Sequence, residues 1–281
     1  ILLNELLLLY VFWACQNAYV KPVEYCHLRK VSLKSIGLII VAAIFLFIMA
    51  DYVNACSMIA FQNLLDDSLQ AIVNKPVEAL VVVAILPAII EEFLFRGMIY
   101  RGIANKSNKK IAIIISALLF AFLHMNFNQM CYAFVMGLVF AIVIYLTDNL
   151  SVSILLHMLF NAFTVIITCF EKSNAIQAIL QCNIAGYTLF NPSLTDTQGK
   201  IEISLLIIGG LIAILSAVIA GWLILLIAKT EKTTETTINN ENILKDNDNI
   251  FKNNENWKPD FRFFAGSGVC ILIAILYEIL L

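Results

Sequence analysis

Long apolar runs separated by short polar connections organise this chain. Eight runs approach the roughly 20 residues that a helix needs to cross about 30 Å of hydrocarbon: 1–20, 36–61, 77–104, 111–127, 129–147, 151–170, 202–228 and 264–281. The pattern predicts an all-α polytopic transmembrane bundle of about eight spans, folded as a single domain over 1–281. The first run carries Asn4 and Glu5 and begins at Ile1. It lacks a basic leading region and a small-residue cleavage site, so it reads as a span, not as a signal peptide. Residues 230–260 are polar, aperiodic and rich in Asn, Lys and Glu. Such a composition buries too little apolar area to offset ordering entropy, and it predicts a flexible cytosolic loop. The 171–201 connection carries the turn signals Gly186, Asn191-Pro192 and Gly199. No internal or inverted repeat is visible.

Composition agrees with this class. Of 281 residues 61% are hydrophobic and 14% charged, against about half and a quarter in soluble domains. The net charge of −2 hides an uneven distribution and says nothing about nucleic acid; no nucleic-acid partner is expected for a membrane bundle of this kind. Seven scattered cysteines without CxxC spacing indicate neither a zinc site nor a disulfide framework. Lysine and arginine concentrate in alternate connections: Lys21, Arg29, Lys30 and Lys34; Arg101, Lys106, Lys109 and Lys110; then Lys229 to Arg262. The connections between them are poor in cations. By the positive-inside tendency the basic loops are cytosolic, the 171–201 loop is external, and with eight spans both termini are external.

Against this apolar background three polar clusters stand out. The first is Glu91-Glu92-x-x-x-Arg96, and two carboxylates within a span cost several kcal/mol unless they face a protein interior or a watery cavity. Glu92 and Arg96 are one helical turn apart and can pair. Glu91 points about 100° away and stays available for other work, the kind of division that separates a general base from a structural carboxylate. The second cluster is Phe120-x-x-x-His124. The third is His157-x-x-x-Asn161, whose i,i+4 spacing lets an imidazole and an amide donate together to a developing oxyanion. Glu91 lies 16 residues before Ser107 and His124 lies 17 after it, which brings them level across a helical hairpin. His157, only nine residues past Asp148, should lie shallower. The structural alternatives are a buried ion pair for the first cluster, a packing histidine for His124, and inter-helix hydrogen bonding for His157 and Asn161. Asp51 and Asn54 read as structural, His27 as solvated, and Glu278 as an interface residue.

The clusters, in this order, resemble the CPBP (CAAX protease and bacteriocin-processing, or Abi) family of intramembrane endopeptidases, which includes the type II CAAX prenyl endopeptidases. All seven motif positions of the pattern EExxxR, FxxxH and Hxxx(N/D) are matched. Flanking Pro87, Phe95, Gly97 and the Ser151-to-Leu156 approach to His157 are also similar, and the likeness covers about 77–165. The resemblance implies an intramembrane protease in which Glu91 and His124 activate a water, His157 and Asn161 stabilise the oxyanion, and Glu92 with Arg96 holds the site together. It implies a peptide or protein substrate, lipidated in some members, cleaved near the cytosolic half of the bilayer.

Two readings from other classes compete: a non-enzymatic bacteriocin-immunity or accessory protein that binds a peptide, and a transporter that uses Glu91 in a proton relay. Intact motifs favour the enzyme, and the absence of repeat symmetry and of broken-helix Gly/Pro pairs speaks against transport. Glu91, His124 and His157 would serve as a His₂Glu zinc set. They arise from three helices without HExxH and without an evident acidic partner for either histidine, so a metal-free site with no cofactor is the expectation. The absence of a eukaryotic targeting motif points to a bacterial plasma membrane.

Overall fold

The computed structural model describes residues 25–61, 74–124, 126–195 and 199–245; at 235 and from 237 to 245 only the backbone is described. Helix α1 spans Leu33–Met58 and α2 spans 76–104. Within α2 two π-helical stretches, Leu80–Ile85 and Phe93–Tyr100, flank the α-helical turns Leu86–Glu92. Helices α3 (Lys109–Leu123), α4 (Phe127–Thr147) and α5 (Leu150–Cys169) follow. A short α6 (Asn174–Leu180) and a minimal hairpin of β1 (Asn183–Ile184) and β2 (Tyr187–Thr188) precede the long α7 (Ile203–Lys245).

Local chemistry sets the helix starts. The side chains of Ser32, Asn108, Asn126, Asn149 and Ser173 each accept a hydrogen bond from a first-turn amide, which satisfies an orphan donor that hydrocarbon would leave bare. Asp148 ends α4 in the left-handed conformation (φ 49°), allowing an immediate reversal into α5.

The protein is mostly helical, and among the described residues four helices are long and apolar enough to cross a membrane: α1, α4, α5 and residues 203–234 of α7. The expected eight spans are therefore not established. The runs 1–20 and 264–281 lie outside the described residues, as does Glu278. The 77–104 run forms a helix, but an interrupted one bearing the site's charges. The 111–127 run is shortened to Lys109–Leu123 because Asn126 already caps the next helix. At 1.5 Å per residue that helix reaches only about 22 Å.

The segment expected as a loop from residue 230 departs from that reading. Helix α7 continues to Lys245. Extending an existing helix adds one hydrogen bond per residue without a new nucleus, so polar composition alone does not stop it. Glu231 also anchors it: the side chain is buried and accepts from the Ser32 backbone N–H (3.2 Å) and from Asn149 Nδ2 (3.1 Å). The rest of 230–260 lies outside the described residues.

Helix α5 packs against α1, α2 and α4, and α7 lies along α1. The opposite face of α7 exposes Ile207, Leu211, Ile214, Leu215, Val218, Trp222 and Leu225. A continuous apolar face of this kind is a liability in water and a natural surface in lipid. This is an integral membrane bundle.

The basic connections meet at one end. Asp148 accepts from His27 Nδ1 (2.7 Å), Arg101 (2.7 Å) and Arg29 (3.4 Å), joining three chain segments. His27 is thus bonded, not simply solvated: its neighbour is the carboxylate that the α4–α5 reversal leaves at its tip. Burial alone would push the Asp148 carboxyl up, but the hydrogen bond from His27 and the Arg101 guanidinium hold it at about 2. At the other end Ser57 bonds Asn128, and Phe61 stacks on Phe127. There the 171–195 connection folds over α1, with the Asn191 N–H donating to Asp51 (3.0 Å).

Candidate active site

Arg96 and Glu92 form the floor of the site. Both side chains are fully buried, and Arg96 Nη1 donates to Glu92 Oε1 at 2.7 Å. Arg96 Nη2 donates to the Gly137 carbonyl of α4 at 2.9 Å, and the guanidinium lies over the rings of Phe120 (4.4 Å) and Phe140 (5.2 Å). A buried charge is tolerable only when its field is answered. Here a carboxylate and a carbonyl take donors of the two terminal nitrogens and two ring faces meet the cation, while Nε has no hydrogen-bond partner. Gly137 permits a close crossing of α3 and α4: a Cβ there would meet the Ala117 backbone at 3.0 Å, a tight contact that one of the helices would have to relieve.

Glu92 accepts two further bonds, from Ser153 Oγ (2.6 Å) and from His157 Nδ1 (3.1 Å), both on α5. This differs from the sequence expectation that neither histidine has an acidic partner. The partner is the carboxylate read as serving Arg96 alone: its Oε1 accepts from both Arg96 and His157, and its Oε2 accepts from Ser153. The carboxylate can only accept, so Nδ1 carries the proton. His157 is held further by Phe140, stacked at 4.7 Å between ring centroids, and by the edge of Phe120 at 5.7 Å.

On its far side His157 Nε2 lies 3.2 Å from Asn161 Nδ2 and 3.9 Å from Glu91 Oε2. Asn161 Nδ2 also donates to the carbonyl of Val83 at 3.2 Å. That carbonyl is exposed for a covalent reason: Pro87, four residues on, has no N–H to offer it. Since a carbonyl only accepts, the amide nitrogen assignment of Asn161 follows, and the neutral Nε2 of His157 is the acceptor of its second N–H. Both amide protons of Asn161 are therefore engaged at rest.

His124 ends α3 and its Nδ1 donates to the Phe120 carbonyl at 2.9 Å, leaving Nε2 as the free nitrogen. Glu91, His124 and Asn161 line one cavity of about 600 Å³, with His157 directly behind Glu91. The structure thus gathers all seven residues that the motifs singled out, Phe120 included. His157, expected shallower than Glu91, is in contact range of it, because α5 is staggered against α2.

Glu91 precedes Arg101 by ten residues, placing it about 15 Å from the basic end. From that mid-depth the cavity opens away from the basic loops, with Asp51, Met58, Glu171, Leu180 and Asn191 toward its mouth. The sequence reading expected cleavage near the cytosolic half of the bilayer; the cavity mouth lies on the opposite side of the motif residues from the basic ends of α2 and α5.

Among the described residues no three His, Cys, Asp or Glu side chains converge closely enough to hold a metal ion. The set Glu91, His124 and His157 supplies suitable donor chemistry but not a ready coordination geometry. The Glu92–His157 bond is nevertheless of the type that orients metal-bound imidazoles as well as catalytic ones.

Three contributors were missed. Ser153, one turn before His157 on the same face, could have been found from spacing. So could the bare carbonyl of Val83, four residues before a proline. Phe140 gave no signal, because an aromatic in an apolar span is indistinguishable from core until its neighbours are known.

Residues 73–163 match the Rce1-like family, type II CAAX prenyl endopeptidase. The matched segment contains every residue of the site. Relatives are similar over much the same core. The membrane-embedded CAAX protease MroQ of Staphylococcus aureus (strain USA300) is 34% identical over 116 residues, 39% of this chain and 47% of that protein. YdiL of Bacillus subtilis (strain 168), named as a candidate membrane peptidase, is 31% identical over 87 residues, 31% of this chain and 36% of that protein. The Rce1-like match thus covers the helices that carry the three motifs, and the chain spans less than half the length of either relative. No solved structure matches.

Proposed function

We propose that this chain is an intramembrane endopeptidase of a bacterial plasma membrane, hydrolysing a peptide bond with a glutamate-activated water. The carrying observation is the placement of Glu91: its carboxylate faces a cavity shared with His124 and Asn161 and lies 3.9 Å from His157 Nε2. A water held between Glu91 and His124 Nε2 gives up a proton to the Glu91 carboxylate as its oxygen adds to the scissile carbonyl carbon. That proton passes on from Glu91 to His157 Nε2, 3.9 Å away, and until it returns to Glu91, Glu92 stabilises the imidazolium through Nδ1. Asn161 then loses an acceptor and turns that N–H to the developing oxyanion, beside His157 Nε2–H. Collapse of the tetrahedral intermediate breaks the C–N bond, and the proton on Glu91 passes to the leaving amine. The matched family and the two bacterial relatives support this reading. Its substrate is a peptide or protein segment able to enter the bilayer.

The test uses protein in lipid nanodiscs and a quenched fluorogenic peptide library. Glu91→Gln should lower turnover by at least 100-fold while leaving the melting temperature unchanged, since it removes a base without unpairing Arg96. Undiminished turnover would eliminate Glu91 as the base. Wild-type protein that binds peptides but cleaves none would instead make the bundle a non-enzymatic peptide binder.

A further inference from the structure

The proline that precedes the acidic pair leaves a backbone acceptor in the cavity wall that the proposed chemistry does not use. In the π-helical stretch Leu80–Ile85 the N–H groups reach back five residues, and the Leu86 N–H accordingly bonds the Val81 carbonyl. The next donor in that register is residue 87, a proline with no N–H. The α-type alternative for Val82 is the Leu86 N–H, which Val81 already holds. The Val82 carbonyl is therefore left without a helical donor. Asn161 Nδ2 answers the neighbouring Val83 carbonyl at 3.2 Å, and among the described residues no side chain does the same for Val82. Val82 and Pro87, the two sides of the missing bond, both line the cavity with Glu91, His124 and Asn161. Unpartnered backbone is tolerated at membrane depth only where it borders such a cavity.

Resting on the protease reading, we infer that the Val82 carbonyl is a substrate-binding group: it accepts a backbone N–H of the peptide near the scissile bond, and the site rejects proline at the residue that supplies it. Placement follows from Asn161. One N–H of its amide holds Val83, and the other turns to the oxyanion, so the scissile carbonyl sits close to this turn of α2. Val82 is one residue further toward the start of α2, on the mouth side of Glu91 because the cavity opens away from the helix's basic end. Helix carbonyls point toward the C-terminus, so this one aims along α2 in the direction of Glu91. An extended peptide advances roughly 3.3 Å per residue. The donor therefore falls about one to three residues from the bond cleaved, on the side nearer the mouth. The contact is to main chain, so it selects an extended segment with a secondary amide at that position and leaves the side chain free to vary. It also answers an N–H that the entering peptide could not satisfy in hydrocarbon.

The experiment uses the full-length chain in nanodiscs and a peptide from the fluorogenic library, with an ester replacing each backbone amide in turn except the scissile one. An ester keeps the side chain and removes one N–H. In the wild type a single position, about one to three residues from the scissile bond, should lose about five- to tenfold in kcat/KM, mainly through KM, the weight of one net hydrogen bond. Proline at that position should be cleaved no better than the ester. Pro87→Ala restores the missing N–H to Val82. It should lower cleavage of the all-amide peptide by a similar factor and shrink the ester penalty to within about twofold, while the melting temperature holds or rises. A proline that only shapes the helix would leave the ester penalty intact. Pro87→Ser supplies the same N–H and serves if Pro87→Ala folds poorly. No ester-sensitive position in the wild type, or a penalty that survives the proline replacements, overturns the inference. Binding of the labelled amide and ester peptides is measured in parallel. Ester-sensitive binding without cleavage upholds the acceptor and removes the hydrolase reading; cleavage without ester sensitivity does the reverse.

Discussion

Glu92 offers the sharpest test of how the site is built. Glu92→Gln keeps the volume but removes the charge that Arg96 meets at 2.7 Å, and it disturbs the bonds from Ser153 and His157. Arg96 is completely buried and retains only the Gly137 carbonyl and two ring faces. Leaving one partner of a buried pair uncompensated costs roughly 3–5 kcal/mol. For a chain of this size each kcal/mol moves the midpoint by roughly 2–4 °C, so a fall of about ten degrees is expected. Differential scanning fluorimetry in detergent reads it directly. A cycle with Arg96→Met isolates the pair: the double variant should be less destabilised than the sum of the singles by at least about 1 kcal/mol. Activity should fall as well, because His157 loses the acceptor that fixes its tautomer. A Glu92→Gln protein that melts like the wild type, or strict additivity in the cycle, would show that the pair does not hold this site together.

Three more outcomes are expected. Asp148, outside the spans, has its folded value depressed to about 2 from 3.8. Its contribution is present above pH 4 and lost as pH falls toward 2, so Asp148→Asn should lower the melting temperature at pH 6 but converge on the wild type near pH 2; a constant offset would contradict this. Cysteine labelling should place Ser107→Cys on the cytosolic side and Ser193→Cys outside, and modification of Ser193→Cys from the cytosol alone would reverse the topology. Exhaustive chelation should leave peptide cleavage intact; stoichiometric zinc whose removal abolishes activity and whose return restores it would make Glu91, His124 and His157 ligands instead.

The sequence alone determined the membrane class, the helical register of the motifs and the pairing of Glu92 with Arg96. Each depends on composition or on spacing within one helix, and 3.6-residue periodicity transmits such information without reference to the rest of the fold. Even the bare Val83 carbonyl was implicit in Pro87. Only the tertiary structure decided what crosses between helices. Glu92 turns out to serve Ser153 and His157 as well as Arg96 because α5 is staggered to present them. Asp51, which resembles no motif, lines the cavity because α1 passes beside α5. Helix α7 outruns its apolar stretch because Glu231 finds Ser32 and Asn149. The side toward which the cavity opens belongs to the same class, since it depends on where the ends of α1, α2 and α5 meet. Contacts between helices far apart in the chain have no periodic signature in any single segment, and a polar residue in an apolar run declares its cost without naming its partner.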